Sequence, residues 1–183
     1  MNVWRLPDSL SIGGREIKIR PDFRNILRII ELMNRDLPPL ILWQAAEKLF
    51  YDERIQPEHM AEAAEKLSEF ISMGREEKPG PKLIDWEQDA GPIIADVNRA
   101  AGFEVRSVPF LHWWTFLSFF NSIGEGQLST IVSIRNKKAK HQKLDQWEQE
   151  FYSENRSEID FKTKYTEEEQ KEIDRLNKLL DGK

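Results

Sequence analysis

The spacing of apolar and polar positions divides the chain into a short β segment followed by a series of helices. Ser9-Leu10-Ser11-Ile12 and Glu16-Ile17-Lys18-Ile19-Arg20 alternate in character, and Gly13-Gly14 between them can adopt the positive φ angles of a two-residue hairpin turn. An isolated hairpin is barely stable in water, so this one must pack on the rest of the chain or pair with another chain. Asp22 then stands where an N-cap belongs. Phe23, Ile26, Leu27, Ile30 and Met33 follow at helical spacing with Arg24, Arg28, Glu31 and Arg35 opposite, which predicts a helix ending near Asp36. Leu37-Pro38-Pro39 interrupts the pattern. A second helix is predicted from Leu40 to Tyr51, burying Leu42, Trp43, Ala46, Leu49 and Phe50. After Gln56-Pro57, Met60, Ala63, Ala64, Leu67, Phe70 and Ile71 form the inner face of a third helix, and Glu58, Glu62, Glu65, Lys66 and Glu69 its outer face.

Gly74 to Lys82 contains two prolines, two glycines and five charges and reads as a loop. Asp85-Trp86-Glu87-Gln88-Asp89 then leads into Ala90-Gly91-Pro92 and the apolar set Ile93, Ile94, Val97, Ala100 and Ala101. Proline suits the first turn of a helix and not its interior, so a kinked or restarted helix is expected over Asp85 to Ala101. The densest apolar run, Phe110 to Phe120, predicts a helix from Val108 or Pro109 to Ser122, with His112, Thr115, Ser118 and Ser122 on one narrow polar stripe. Trp113, Trp114, Phe116, Phe119 and Phe120 exceed what one helix face can bury. Either the helix is surrounded within the monomer or one side meets a subunit or client. Gly124-Glu125-Gly126 ends it, and a further helix takes Leu128, Ile131 and Val132 inward as far as Arg135. The predicted fold class is mainly α: a bundle of about six helices preceded by the β-hairpin over residues 1–135, then a charged, helical or partly disordered C-terminal appendage over 136–183. In that appendage Leu144, Trp147 and Phe151, and later Ile173, Leu176 and Leu180 behind a Thr166/Glu169 capping box, make thin apolar stripes. Such stripes fray in water unless they dock on the body or on a partner.

Charge sharpens this division. The net charge is −5, and residues 144–183, with twelve acidic and seven basic side chains, carry the same −5. No general affinity for nucleic acid or an anionic membrane follows from that total. The basic run from Arg135 to Lys143 has no interleaved aromatic platform and is followed at once by acidic sequence, so it reads as a solvated helix end. There is no cysteine, which excludes disulfides and thiolate metal sites. The N-terminus lacks the apolar core of a signal peptide, and the longest apolar run is far short of the roughly 20 residues that cross a bilayer.

Candidate chemistry is sparse. Asp85, Glu87 and Asp89 could ligate a hard cation, but their spacing lacks the glycine and distal glutamate of a calcium loop, and acidic residues early in a helix are already favoured by its dipole. With His59 and His141 as the other histidines and no metal triad in view, His112 reads as a structural residue. No phosphate-binding loop, nucleophile elbow or dinucleotide fingerprint occurs. The sequence therefore predicts no catalytic residue, no cofactor and no metal: a binding protein, not an enzyme.

Asp85-Trp86-Glu87-Gln88-Asp89, Ile93-Ile94-Ala95, Leu111-His112-Trp113-Trp114-Thr115-Phe116-Leu117 and Ile131-Val132-Ser133-Ile134-Arg135, in this order, resemble a small tail-gene family of siphophages and prophages of Gram-positive bacteria whose members are similar to tail assembly chaperones. The likeness runs from the hairpin to about Arg135. It implies a protein encoded beside the long tape measure protein, which it binds and keeps soluble until the tail tube protein polymerises around it. It also implies self-association, action in the host bacterial cytoplasm and absence from the mature virion. On this reading Asp85, Trp86, Glu87, Asp89, Leu111, His112, Trp113, Trp114, Phe116 and Arg135 are the motif residues and candidates for protein binding. A connector retained in the finished tail is the alternative, and a nucleic-acid-binding regulator using the basic run is a more remote one.

Overall fold

A computed structural model describes residues 5–75 and 79–162. Strands β1 (Ser9–Ile12) and β2 (Arg15–Lys18) form an antiparallel hairpin in which Leu10 faces Ile17 and Ile12 faces Arg15. Gly13 and Gly14 turn it with φ of 57° and 74°, as the alternating pattern requires. The hairpin packs on the chain itself: Leu10, Ile12, Ile17 and Ile19 are buried, the Gly13 N–H donates to Glu62 Oε2 at 2.9 Å, and the His59 ring lies against Gly13 where a Cβ would clash. Beyond β2 the strand direction continues, with Ile19 bridging Tyr51 and the Arg20 N–H donating to the Phe50 carbonyl.

Eight α-helices follow among the described residues. Helix α1 (Phe23–Met33) starts at Asp22, whose carboxylate accepts the Arg24 N–H, and ends with its apolar stripe, short of the expected Asp36. Helix α2 (Pro39–Phe50) folds back on α1 and buries Ala46 and Phe50, while Trp43 and Leu49 are half-buried. A 3-10 turn at Pro57–His59 leads into α3 (Met60–Ile71), which buries Ala63, Leu67 and Phe70 but leaves Met60 and Ala64 exposed. The expected restart before Ala101 is a turn over 86–89 and then α4 (Ala90–Ala101), which places Pro92 in the first helical turn, where no N–H is needed.

Helix α5 (Trp113–Asn121) lies against α1 and α4, and α6 (Gln127–Ala139) packs on α4. The boundary drawn at 135 falls inside α6. Helices α7 (Gln146–Glu154) and α8 (Arg156–Ile159) turn back onto it, and Ile159 is fully buried beside Ile131 and Ile134, with Leu144, Phe151 and Tyr152 around them. The first stripe of the appendage is therefore docked. The second, Ile173, Leu176 and Leu180 behind Thr166 and Glu169, lies outside the described residues. No helix among the described residues is long and apolar enough to cross a membrane.

Candidate functional site

The motif residues assemble into two linked knots, one aromatic and one ionic. The aromatic knot begins at the N-terminus of α5, which starts later than its apolar run predicts. Phe110 to His112 is extended because it pairs with the chain ahead of α1. The Phe23 N–H donates to the Leu111 carbonyl at 2.9 Å, the Trp113 N–H to the Pro21 carbonyl at 2.7 Å, and the Leu111 N–H to Asp22 Oδ2 at 3.1 Å. Two helices thus start side by side, α1 capped by Asp22 and α5 by His112. Arg24 fixes the approach to this point by pairing with Asp22 and donating to the carbonyls of Arg106 and Val108.

His112 is occupied on both ring nitrogens. Nδ1 accepts the Trp114 N–H at 3.0 Å, so the proton sits on Nε2, which faces the Pro7 carbonyl at 3.0 Å. Burial lowers the histidine's pKa below its ordinary value, the Pro7 hydrogen bond opposing this in part. The imidazole is a neutral helix cap with no free nitrogen for proton transfer or metal ligation.

Trp113 and Trp114 serve the far end of another helix. Their indole N–H groups donate at 2.9 Å each to the Ile71 and Phe70 carbonyls, the last two of α3. The last carbonyls of a helix lack the usual backbone donor. The Phe70 carbonyl also accepts the Met73 N–H at 3.2 Å, so the Trp114 indole is an added partner there, and the Trp113 indole serves the Ile71 carbonyl. Phe116 stacks on Phe23 at 4.7 Å and on Trp113 at 5.6 Å, and Trp114 stacks on Phe70 at 5.7 Å. Leu111, His112, Trp113, Trp114 and Phe116 are all buried, and Phe119 and Phe120 pack against the same core, so the aromatic surplus belongs to a helix surrounded within the monomer.

Trp86 joins this knot to the ionic one. Its ring lies 5.8 Å from that of Trp113 and 4.9 Å from that of Phe120, anchoring the 85–89 turn on α5. Within the turn, Asp85 Oδ1 accepts the Glu87 and Gln88 N–H groups and Oδ2 accepts from Lys82 at 2.7 Å. Burial opposes ionisation of Asp85, yet Lys82 and the two backbone donors outweigh it and hold the carboxyl down at about 2. Asp89 forms a bidentate pair with Arg135 at 2.6 and 2.9 Å, and both side chains are almost wholly buried. The remaining Arg135 donors go to the carbonyls of Ile159, Leu83 and Glu158, filling all five N–H positions, and the Phe161 ring covers the guanidinium at 4.1 Å.

This geometry corrects two expectations. Asp85 and Asp89 precede α4 and do not sit in its first turn as dipole-favoured acids; they cap a turn and neutralise a buried arginine. Arg135 is not the start of a solvated basic run. Lys137 pairs with Glu148 and Lys138 with Asp160, so only the outer part of that run, Lys140 to Lys143, stays exposed. No group of His, Asp or Glu among the described residues is placed to hold a metal ion.

Residues 4–161 match the family described as bacteriophage Gp15 protein. The chain belongs to this family. Neither the curated proteins nor the solved structures gave a match. The Gp15 match extends past Arg135, where the residue-level likeness stopped. It ends at the segment that Arg135 holds, since Gln88 donates to the Glu158 and Asp160 carbonyls and accepts from the Lys162 N–H.

Of the motif residues only Glu87 is exposed, and the exposed apolar side chains of the Gp15 fold lie elsewhere. Met33, Leu37, Leu40 and Ile41 are 43, 39, 58 and 50 % exposed and follow one another round the corner from α1 into α2. Sequence reasoning placed Met33 inside and overlooked the rest. The signal was the run Leu40-Ile41-Leu42-Trp43, because four consecutive apolar residues on a helix cannot all face one core.

Proposed function

We propose that this member of the bacteriophage Gp15 family is a tail assembly chaperone that binds the tape measure protein during tail morphogenesis and acts by binding, not catalysis. The observation that carries the reading is the apolar corner at Met33, Leu37, Leu40 and Ile41, a solvent-facing cluster of the kind that marks protein-interaction sites. Two further observations support it. The order of the acidic and Leu-His-Trp-Trp motifs resembles tail assembly chaperones, and His112, Asp85 and Asp89, the groups that could have served chemistry, are committed to caps and an ion pair. The protein acts in the host cytoplasm, yields its client to the polymerising tail tube protein and is left out of the virion.

Co-expression with the tape measure protein of the same phage tests this. The client should move into the soluble fraction and co-purify at low and moderate salt. An insoluble client with no co-purification would reject the chaperone role, and stoichiometric amounts of this protein in purified virions would make it a tail connector instead.

A further inference from the structure

We propose that the groove between α1 and α2 is the client-binding surface, and that its occupant is an amphipathic helix with acidic flanks. This rests on the binding reading above and names the chemistry of the partner. One wall is the α1 face Arg28, Glu31 and Leu32 with Arg35 just past its end, and the other is the α2 face Ala45, Lys48 and Leu49; together they line about 400 Å³. The α1 residues Arg28, Glu31 and Leu32 recur at i, i+3 and i+4, and Ile41 lies one turn before Ala45, so the exposed corner continues the groove floor. A channel between two packed helices offers a third helix an apolar seat, the usual way an amphipathic helix is recognised.

Charge decides which helix fits. Arg28, Arg35 and Lys48 rim the groove against Glu31 alone, and none of the three cations makes an ion pair among the described residues. Other cations of the fold are neutralised by a neighbouring carboxylate, as at Lys66–Glu69 and Arg99–Asp96, which these three are not. An apolar floor between unpaired cations selects a helix whose leucine-type stripe is bordered by Asp and Glu, and it repels one bordered by Lys.

The test uses the full chain and two labelled peptides of about 18 residues that share one leucine stripe, flanked by Glu in one and by Lys in the other. Anisotropy titration should show the Glu peptide binding at least about tenfold more tightly, with the advantage shrinking as salt rises. Double reversal, Arg28→Glu with Arg35→Glu, should invert the preference, and Ile41→Asp should weaken both peptides; these exposed substitutions should leave the melting curve in place, with Lys48→Glu as a second charge variant. Equal binding of the two peptides, or affinities indifferent to these substitutions, would overturn the proposal. So would a dimer in sedimentation that Ile41→Asp dissolves, since a second copy would then own the groove. Failure here is separable from failure of the chaperone role. Solubilisation of the tape measure protein that survives Ile41→Asp overturns this surface and leaves that role standing, whereas selective peptide binding without solubilisation supports the surface and removes the role.

Discussion

Helix α5 and the segment 144–162 are both fixed by motif residues, yet the forces that hold them are of opposite kinds. Around α5 the contacts are dry: Trp113 lies tilted against Trp86, Trp114 and Phe116 stack on Phe70 and Phe23, and the polar atoms that enter, two indole N–H groups and one imidazole, each meet a single backbone partner or two. At the C-terminal segment only Ile159 enters the core as a fully buried apolar side chain, with Leu144, Phe151 and Tyr152 half-buried around it, and the seam is closed by Arg135 with Asp89, Lys137 with Glu148 and Lys138 with Asp160. Apolar burial is non-directional and tolerates shifts, whereas a bidentate ion pair works in one geometry. The aromatic knot therefore makes the body stable, and the ionic knot sets where the last helices sit.

Breaking the aromatic knot should do the most damage. Trp114→Ala removes a buried ring stacked on Phe70 and takes the indole donor from the Phe70 carbonyl, which keeps the Met73 N–H, so the loss should be roughly 3–5 kcal/mol, read as a lowered urea midpoint for the whole protein. Loss of α5 packing alone, with an unchanged midpoint elsewhere, would show that the knot is not shared. Asp89→Ala strikes the other side. Removing one partner of a buried pair typically costs about 3–5 kcal/mol, and here the lower end is expected because Arg135 keeps three carbonyl acceptors. The distinguishing readout is local: amides of 144–162 should lose hydrogen-exchange protection while those of α5 keep theirs.

The two knots also differ in how far they could be read in advance. The hairpin and the Asp22 cap depend on neighbours within a few residues, so Gly13-Gly14 and Asp22-Phe23 announced them. His112 was recognised as structural, but its role as a cap was hidden, since that role needs Phe110 to His112 drawn out straight by Asp22, 89 residues from Leu111. The pairing of Asp89 with Arg135 spans 46 residues, and each partner lies in a charged stretch that looks solvated. Charge says that a group needs a partner or water and does not say which. Met33 misled for a simpler reason: a helical stripe gives direction around the axis but not where the core stops along it.

A smaller effect comes from pH, and it singles out the aromatic side. In the folded protein His112 is neutral with a lowered pKa, so below about pH 6.5, the ordinary histidine value, the unfolded chain binds a proton that the folded one resists. The His112 contribution is thus complete above that value and is lost as pH falls toward the lowered one, with a slope of at most one proton, about 1.4 kcal/mol per pH unit. The ionic side responds elsewhere. Asp85, held at about 2, contributes stability that is full above its ordinary 3.8 and lost as pH falls through about 2. Denaturation midpoints between pH 7 and 5 should therefore decline in the wild type and flatten in His112→Asn, which keeps an acceptor for the Trp114 N–H. An unchanged slope in that variant would place the titrating group outside the aromatic knot.

The smallest effect sharpens the comparison within the seam itself. Lys138 donates to Tyr152 Oη and pairs with Asp160, but both partners are more than a third exposed, and Arg156 reaches the same carboxylate at 3.3 Å. Water screens such a pair, and its loss leaves Asp160 with other donors, so Lys138→Gln should cost less than about 1 kcal/mol. Most of that difference should disappear in about 1 M salt, where the Debye length is roughly 3 Å. Hydrogen exchange in 144–162 should stay close to wild type, in contrast to Asp89→Ala. If Lys138→Gln freed the segment as completely as Asp89→Ala does, the seam would be held by its solvent-exposed ions, and the buried Arg135 knot would no longer be what fixes the last helices in place.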